Sequence, residues 1–325
     1  MTKNKIYFGI LILILLLFIA GSSYSMLYVG KTQESHKVSV IVINSNSDRW
    51  TSLRQGLEQA AADYNIDINY VSTGQSVSTK DEIELINLEM DNGAEGIIVQ
   101  MNSADEYKKE MELISSRVSL MLLETDINPE DVYAYTGPDN SELGRAVANA
   151  IKDEYGSDLA GKRIGILYGN QNQLSMQQRL DGLREVLSGE EVNIVWETEG
   201  IMDIELRGMQ QMEEKEPVDI MIALGNEETE KMVDYMQRPE REGKECALFG
   251  VGSSEKVVYY LDKGMINTLV VPNDFSMGYQ SMEAIARMLQ YRLSETDSNR
   301  VDYLIVNKNN LYDAENQKVL FPIVQ

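Results

Sequence analysis

Lys37-Val-Ser-Val-Ile-Val-Ile43 is a β-branched run that breaks into Asn44-Ser-Asn-Ser-Asp48 and then into a helical pattern. In that pattern Trp50, Leu53, Leu57, Ala60, Ala61 and Tyr64 recur at spacings that lay one apolar stripe along a helix. Asp67 to Val71 reads as the next strand. Strand, polar loop, amphipathic helix and strand form the repeating unit of a parallel α/β sheet. Apolar runs begin near residues 38, 68, 97 and 119, and again near 164, 192, 219 and 246, so the unit occurs in two series of similar spacing.

Gly96-Ile-Ile-Val-Gln100, Ile164-Gly-Ile-Leu-Tyr168 and Ile220-Met-Ile-Ala-Leu224 are continuously apolar rather than alternating, as strands are when helices cover both sheet faces. Gly93 fits a helix C-terminus, and Asp139 or Asn140 fits the N-cap of a helix built on Leu143, Val147, Ile151 and Tyr155. The expectation is two α/β lobes whose strand carboxyl ends face each other, the place where open α/β sheets bind ligands.

Composition narrows the chemistry. The 325 residues hold one His and one Cys, which leaves no multi-histidine zinc site, no disulfide and no Cys-x-x-Cys pair within the chain. Imidazole-activated nucleophiles would all depend on His36. Catalytic residues, metal and cofactor are therefore expected to be none. Lys and Arg number 29 against 52 Asp and Glu, a net −23 that argues against nucleic acid as a partner, because phosphate recognition needs clustered cations. Gly156-Ser-Asp-Leu-Ala-Gly-Lys-Arg163 nearly spells a phosphate-binding loop. It ends on Arg163 where a hydroxyl is required, and it precedes a strand instead of following one.

At the N-terminus, Ile6 to Val29 carry no charge, and as a helix they would reach about 36 Å, enough for a bilayer core of about 30 Å. Residues 1–30 read as a membrane anchor with Tyr24 and Tyr28 at interfacial depth. Gly21-Ser-Ser-Tyr-Ser25 also resembles a signal-peptide cleavage region, so anchor and cleaved signal both stand. Lys3 and Lys5 before the apolar run keep the N-terminus cytoplasmic by the positive-inside rule. The expected location is thus the cell membrane, single-pass, with the following domain extracytoplasmic. The only cysteine is Cys246, so a lipoprotein is not expected.

Together these residues resemble the type I periplasmic sugar-binding proteins, the ribose-binding-like group most of all. The resemblance is carried by Lys37 to Ile43 with Trp50 to Ala61, Asn92-Gly-Ala-Glu-Gly-Ile-Ile-Val99, Arg179-Leu-Asp-Gly-Leu183, Leu248-Phe-Gly-Val-Gly252 and Met277-Gly-Tyr-Gln280. It covers nearly all of residues 37 to 325. It implies an α/β fold of two Rossmann-like parallel-sheet lobes joined by a three-strand hinge, here preceded by an N-terminal transmembrane helix. Hinge crossings would fall near Gly137 to Asn140, Val271 to Asp274 and Arg300 to Tyr303. After a linker at 31–36, the first lobe would be 37–137 plus 273–301 and the second 138–272 plus 302–325. Lactose-repressor-type sensors share this fold, but they carry a DNA-binding headpiece where this chain has its apolar segment.

The candidate ligand-binding residues are Asn46, Asp48, Arg49, Trp50, Glu124, Gln173, Gln177, Asn226 and Asn273. Trp50 could stack on a sugar face or begin the core stripe of its helix. Asp48 and Arg49 could bond a polar ligand or cap the helix entrance. Glu124 ends an apolar strand, where an unpaired carboxylate is costly. Gln173, Gln177 and Asn226 are amides that donate and accept together, as hydroxyl recognition requires. By resemblance, Asn46 lies in the loop that supplies an Asn, Gln177 stands where an Arg clamps the sugar, and the Gln of the last crossing falls near Pro272 or Asn273. Glu124-Thr125 replaces the family's Asp-Arg, and Gly252 replaces an Asp. The implied function is a solute-binding protein, not an enzyme, that takes a small polar ligand, sugar or sugar-like. Its partner would be an ABC permease or a histidine-kinase ectodomain. The alternative is a ligand-free scaffold of the same fold in an envelope complex.

Overall fold

The computed structural model describes residues 2–29, 35–43, 48–74, 78–102, 108–127, 133–200, 203–291 and 298–322. The chain forms two compact units, residues 1–36 and 37–325. In the first, α1 (Thr2–Val29) is one helix of 28 residues. Among the described residues no helix is long and apolar enough to cross a membrane.

The second unit alternates strand and helix: β1 (His36–Ile43), α2 (Thr51–Tyr64), β2 (Ile66–Thr73), α3 (Thr79–Asp91), β3 (Gly96–Val99), α4 (Lys108–Ser115), β4 (Ser119–Leu123) and β5 (Ala134–Pro138). There follow α5 (Asn140–Tyr155), β6 (Arg163–Tyr168), α6 (Leu174–Leu187), β7 (Asn193–Glu199), α7 (Asp203–Lys215), β8 (Ile220–Ala223), α8 (Asn226–Met236) and β9 (Ala247–Val251). The chain closes with α9 (Glu255–Asp262), β10 (Thr268–Pro272), α10 (Asp274–Tyr291), β11 (Ser298–Val301), β12 (Tyr303–Asn307) and α11 (Ala314–Leu320).

Two six-stranded sheets result, ordered β11-β5-β4-β3-β1-β2 and β12-β10-β9-β8-β6-β7. Each has an apolar layer on both faces, which is why its central strands are continuously hydrophobic. In β1, Val38, Val40 and Val42 pack with Leu53, Leu57 and Met277, while Ile41 packs on the other face with Ile86 and Met111. In the second sheet, Ile164 and Ile166 meet Leu143 and Leu183, and Leu167 and Met221 meet Met232 and Leu261.

The chain passes between the sheets three times, after Pro138, after Pro272 and at Asp302. The Asn273 N–H donates to the Asp302 carbonyl at 3.0 Å, and Arg300 pairs with Asp139, so the crossings are tied to one another. The last crossing also explains the one departure from parallel lobes. β11 runs parallel to β5 and so reaches the gap with its carboxyl end. One residue later the chain enters the second sheet from that gap, and β12 must run antiparallel to β10.

Helix pairing aims the site. α5 and α6 approach so closely that a Cβ on Gly144 would stand 1.9 Å from the Arg179 carbonyl, and one on Gly182 would stand 2.1 Å from that of Ser141. Only glycines permit this contact, and it sets Arg179 beside the first turn of α5.

Candidate functional site

The strand carboxyl ends of both sheets border a cavity of about 640 Å³, counting the open solvent at its mouth. The first lobe contributes Arg49, from the 3₁₀ turn Asp48–Trp50, together with Gln100 and Asn102 beyond β3 and Glu124 beyond β4. The second contributes Asn170 and Gln173 beyond β6, Arg179 on α6, and Asn226 and Glu228 at the start of α8.

Glu124 is the centre of this arrangement. Its φ is 62°, and the Thr125 N–H donates to the Leu123 carbonyl at 2.7 Å, closing a three-residue turn around it. A left-handed non-glycine residue costs of order 1–3 kcal/mol and persists only where its surroundings fix it. Here they do. Arg49 pairs with Oε2, which also accepts from Gln100 Nε2 at 2.6 Å, while Arg179 Nη2 donates to Oε1 at 2.9 Å. Asn140 Nδ2 donates to the Glu124 carbonyl at 3.0 Å, and the Tyr135 hydroxyl lies at the same distance from it. Arg179 is held in turn by Asn140 Oδ1 at 2.8 Å and by the Leu224 carbonyl at 3.1 Å. Burial by itself would raise the Glu124 carboxyl, but the two guanidinium groups hold it down at about 2.

Arg179 belongs to the second lobe, so this pair spans the cleft. So do Gln173 Nε2 to the Met101 carbonyl at 3.0 Å, Asn170 Nδ2 to the Asn102 carbonyl at 2.9 Å, and Ser253 Oγ to Asp274. The lobes are therefore closed on each other. Beneath the Asn102 loop lies Glu82, fully buried, which accepts from Asn102 Nδ2 at 2.6 Å and is pushed by burial to about 7. Burial likewise pushes Asp274 to about 6, against the attraction of Arg49.

Of the residues singled out in the sequence, Arg49, Glu124, Gln173 and Asn226 line the cavity. Asn226 spends its amide on structure, accepting from the Ser253 and Ser254 N–H groups at 3.0 and 2.9 Å and donating to Glu230 at 2.8 Å. Trp50 is 3% exposed in the first-lobe core, and its Nε1 donates to the Ile43 carbonyl at 2.8 Å. Gln177 donates to the Gln171 carbonyl and borders a separate surface depression with Arg184 and Glu197. Asn273 caps α10, accepting from the Ser276 N–H at 3.0 Å. Asn46 and the Asp48 side chain lie outside the described residues. Gln100, Asn102, Asn140 and Glu228 carry site chemistry that sequence reasoning missed. Gln100 was within reach of the strand-end logic that singled out Glu124, whereas Glu228 was hidden in the acidic start of an ordinary helix. Among the described residues no cluster of three or more His, Cys, Asp or Glu could hold a metal ion.

The periplasmic binding protein domain family matches residues 38–293. No curated protein matches the chain. Among solved structures, a carbohydrate transporter solute binding protein from Agrobacterium radiobacter in complex with D-arabinose superposes with a TM-score of 0.79 at 15% identity, over 89% of this chain and 100% of that one. A Caulobacter myo-inositol binding protein bound to myo-inositol gives 0.76 at 15% identity, over 88% and 98%. A XylFII–LytSN complex gives 0.74 at 16% identity, over 85% and 99%. The family and the first two of these structures are solute-binding proteins, not enzymes.

Proposed function

The chain belongs to the periplasmic binding protein domain family, and from that premise we propose that it is a membrane-anchored, extracytoplasmic solute-binding protein. Its interlobe cleft takes a small polar ligand, sugar or sugar-like, on behalf of an ABC transporter or a sensor-kinase ectodomain. The observation that carries this reading is the convergence of hydrogen-bonding side chains from both sheets on one cavity, reached by three crossings that permit bending. Fold-mates bound to D-arabinose and to myo-inositol support the ligand class. A fold-mate in a complex with LytSN supports a protein partner. The uncharged Ile6–Val29 stretch, within a helix of 28 residues, supports the anchor.

One observation favours the scaffold alternative: Glu124, the carboxylate placed to grip a hydroxyl, is already saturated by Arg49, Arg179 and Gln100. Thermal unfolding of the full chain with a panel of sugars, polyols and nucleosides decides between the two. A receptor gains about 2.7 kcal/mol at a ligand concentration of 100 times Kd, and a scaffold gains nothing from any compound. Protease treatment of intact cells tests the topology, since an anchored extracytoplasmic domain is digested while the cells remain closed.

A further inference from the structure

Asp274 is the first residue of α10, directly after the second crossing, and is 7% exposed. The Ser253 hydroxyl, which belongs to the other lobe, donates to its Oδ2. Part of the burial of this carboxylate therefore comes from the contact of the two lobes and not from the packing of either. The charged groups that act on it come from three further elements. Arg49, on the 3₁₀ turn, and Arg179, on α6, attract it, and Glu124, beyond β4, repels it. Both arginines make their ion pairs with Glu124, and Glu227 on α8 attracts Arg49 as well. At the other crossings Asp139 and Arg300 pair with each other, and Asp302 meets Asn273 through its backbone carbonyl. Two other carboxylates raised by burial differ in placement. Glu82 is bonded to Asn102 of its own lobe, and Glu228 lies against Gly169, Gly225 and Met176 of its own lobe.

We propose that Asp274 links closure of the cleft to a proton: the lobes hold together more firmly in acid and part more readily towards neutral pH, so that solute capture follows the acidity outside the cell. That last consequence rests on the proposed function, whereas the linkage itself does not. With the lobes together, burial pushes Asp274 to about 6 against the attraction of Arg49. When they part, Ser253 is withdrawn, water reaches Oδ2, and the carboxyl returns towards its ordinary 3.8. The closed state is the one with the raised value, so closing takes up a proton between the two. Its contribution to closure is full below 3.8 and is lost as pH rises through 6. An uncharged amide of the same shape would accept the Ser253 hydroxyl at every pH and carry no such dependence.

The Ser175 N–H reports the opening, because it donates across the cleft to the Thr125 hydroxyl at 3.3 Å. The test is hydrogen exchange of the full chain at pH 5 and pH 7.5, corrected for the intrinsic exchange rate, with the amides of the central strand β6 as the reference for unfolding. The opening constant at Ser175 is expected to be about tenfold larger at pH 7.5 than at pH 5, and Asp274→Asn should bring that ratio to about one. Equal opening constants in the native chain overturn the proposal without recourse to the variant, as does a tenfold ratio that survives Asp274→Asn. A ratio matched by the β6 amides reports unfolding of the lobe instead of opening of the cleft and overturns it too. No ligand is added, so any of these results leaves the solute-binding reading to its own test, and a compound panel that binds nowhere leaves the proton linkage standing.

Discussion

The second lobe contains another buried arginine–carboxylate cluster, and it makes an instructive contrast with the one in the cleft. Glu213 on α7 is fully buried, pairs with Arg241 and accepts from the Tyr235 hydroxyl at 2.7 Å. Arg241 also lies over the Tyr235 ring at 5.4 Å. All three residues belong to one lobe, and the pair fastens α7, α8 and the turn at 239–241. In the Glu124 cluster the same groups are divided between lobes, so its bonds can break without unfolding either sheet. Chemistry alone does not distinguish a structural ion pair from a latch. What distinguishes them is whether the partners move as one body.

That contrast predicts an order of effects. Arg241→Ala should be the most damaging, about 3–5 kcal/mol in urea unfolding of the full chain, because it strands Glu213 where water cannot reach it. Next is a buried carboxylate with no arginine at all. The Glu82 carboxyl stands at about 7 in the folded chain against an ordinary value near 4.5, so the folded state holds the proton more tightly. Its contribution is fully present below pH 4.5 and disappears as pH rises through 7, a loss of about 3 kcal/mol at most. Asp274 acts in the same sense as pH rises through about 6. Glu124, held at about 2, works oppositely: its contribution is full above pH 4.5 and is lost as pH falls through 2. Unfolding measured from pH 4.5 to 8 should therefore flatten in Glu82→Gln; a slope unchanged by that substitution would remove the burial argument.

Glu124→Gln should cost less than Arg241→Ala, about 1–3 kcal/mol, since the amide keeps an oxygen that accepts from a guanidinium group and the Arg49 side chain is one-fifth exposed. Its larger effect should be on shape. Small-angle scattering should show an increased radius of gyration as the lobes part, whereas Arg241→Ala, below its unfolding transition, should leave the radius unchanged. Equal stability losses with no change in radius would make the two clusters equivalent and remove the latch.

The sheets were legible because a strand covered on both faces writes itself as consecutive apolar residues. The runs at 38, 97, 119, 164, 219 and 246 fall on β1, β3, β4, β6, β8 and β9. The cap at Asp139 was legible for a similar local reason, and its side chain accepts from the Glu142 N–H. The cleft was legible only in part. Arg49 and Glu124 lie 75 residues apart, and Arg179 lies 55 beyond, so nothing local announces that they meet. Amides such as Asn226 and Gln177 look alike in sequence whether they face a ligand or satisfy a backbone carbonyl. Glu228 reads as the first turn of an acidic helix, where carboxylates are commonplace.

The smallest effect concerns Trp50, which could have served either region. Its ring is packed in the core with Leu53 and Leu57, its N–H is committed to the Ile43 carbonyl, and the Arg49 guanidinium lies over it at 4.4 Å. Trp50→Phe keeps an apolar ring beneath Arg49 and removes one hydrogen bond, so it should cost about 1 kcal/mol of stability. Because Trp50 meets the cavity wall through Arg49 and the Ile43 carbonyl and does not itself line the cavity, ligand affinity should change by no more than about 0.5–1 kcal/mol. A loss of tenfold or more in affinity, with stability intact, would instead place the ring against the ligand and move Trp50 from the core to the site.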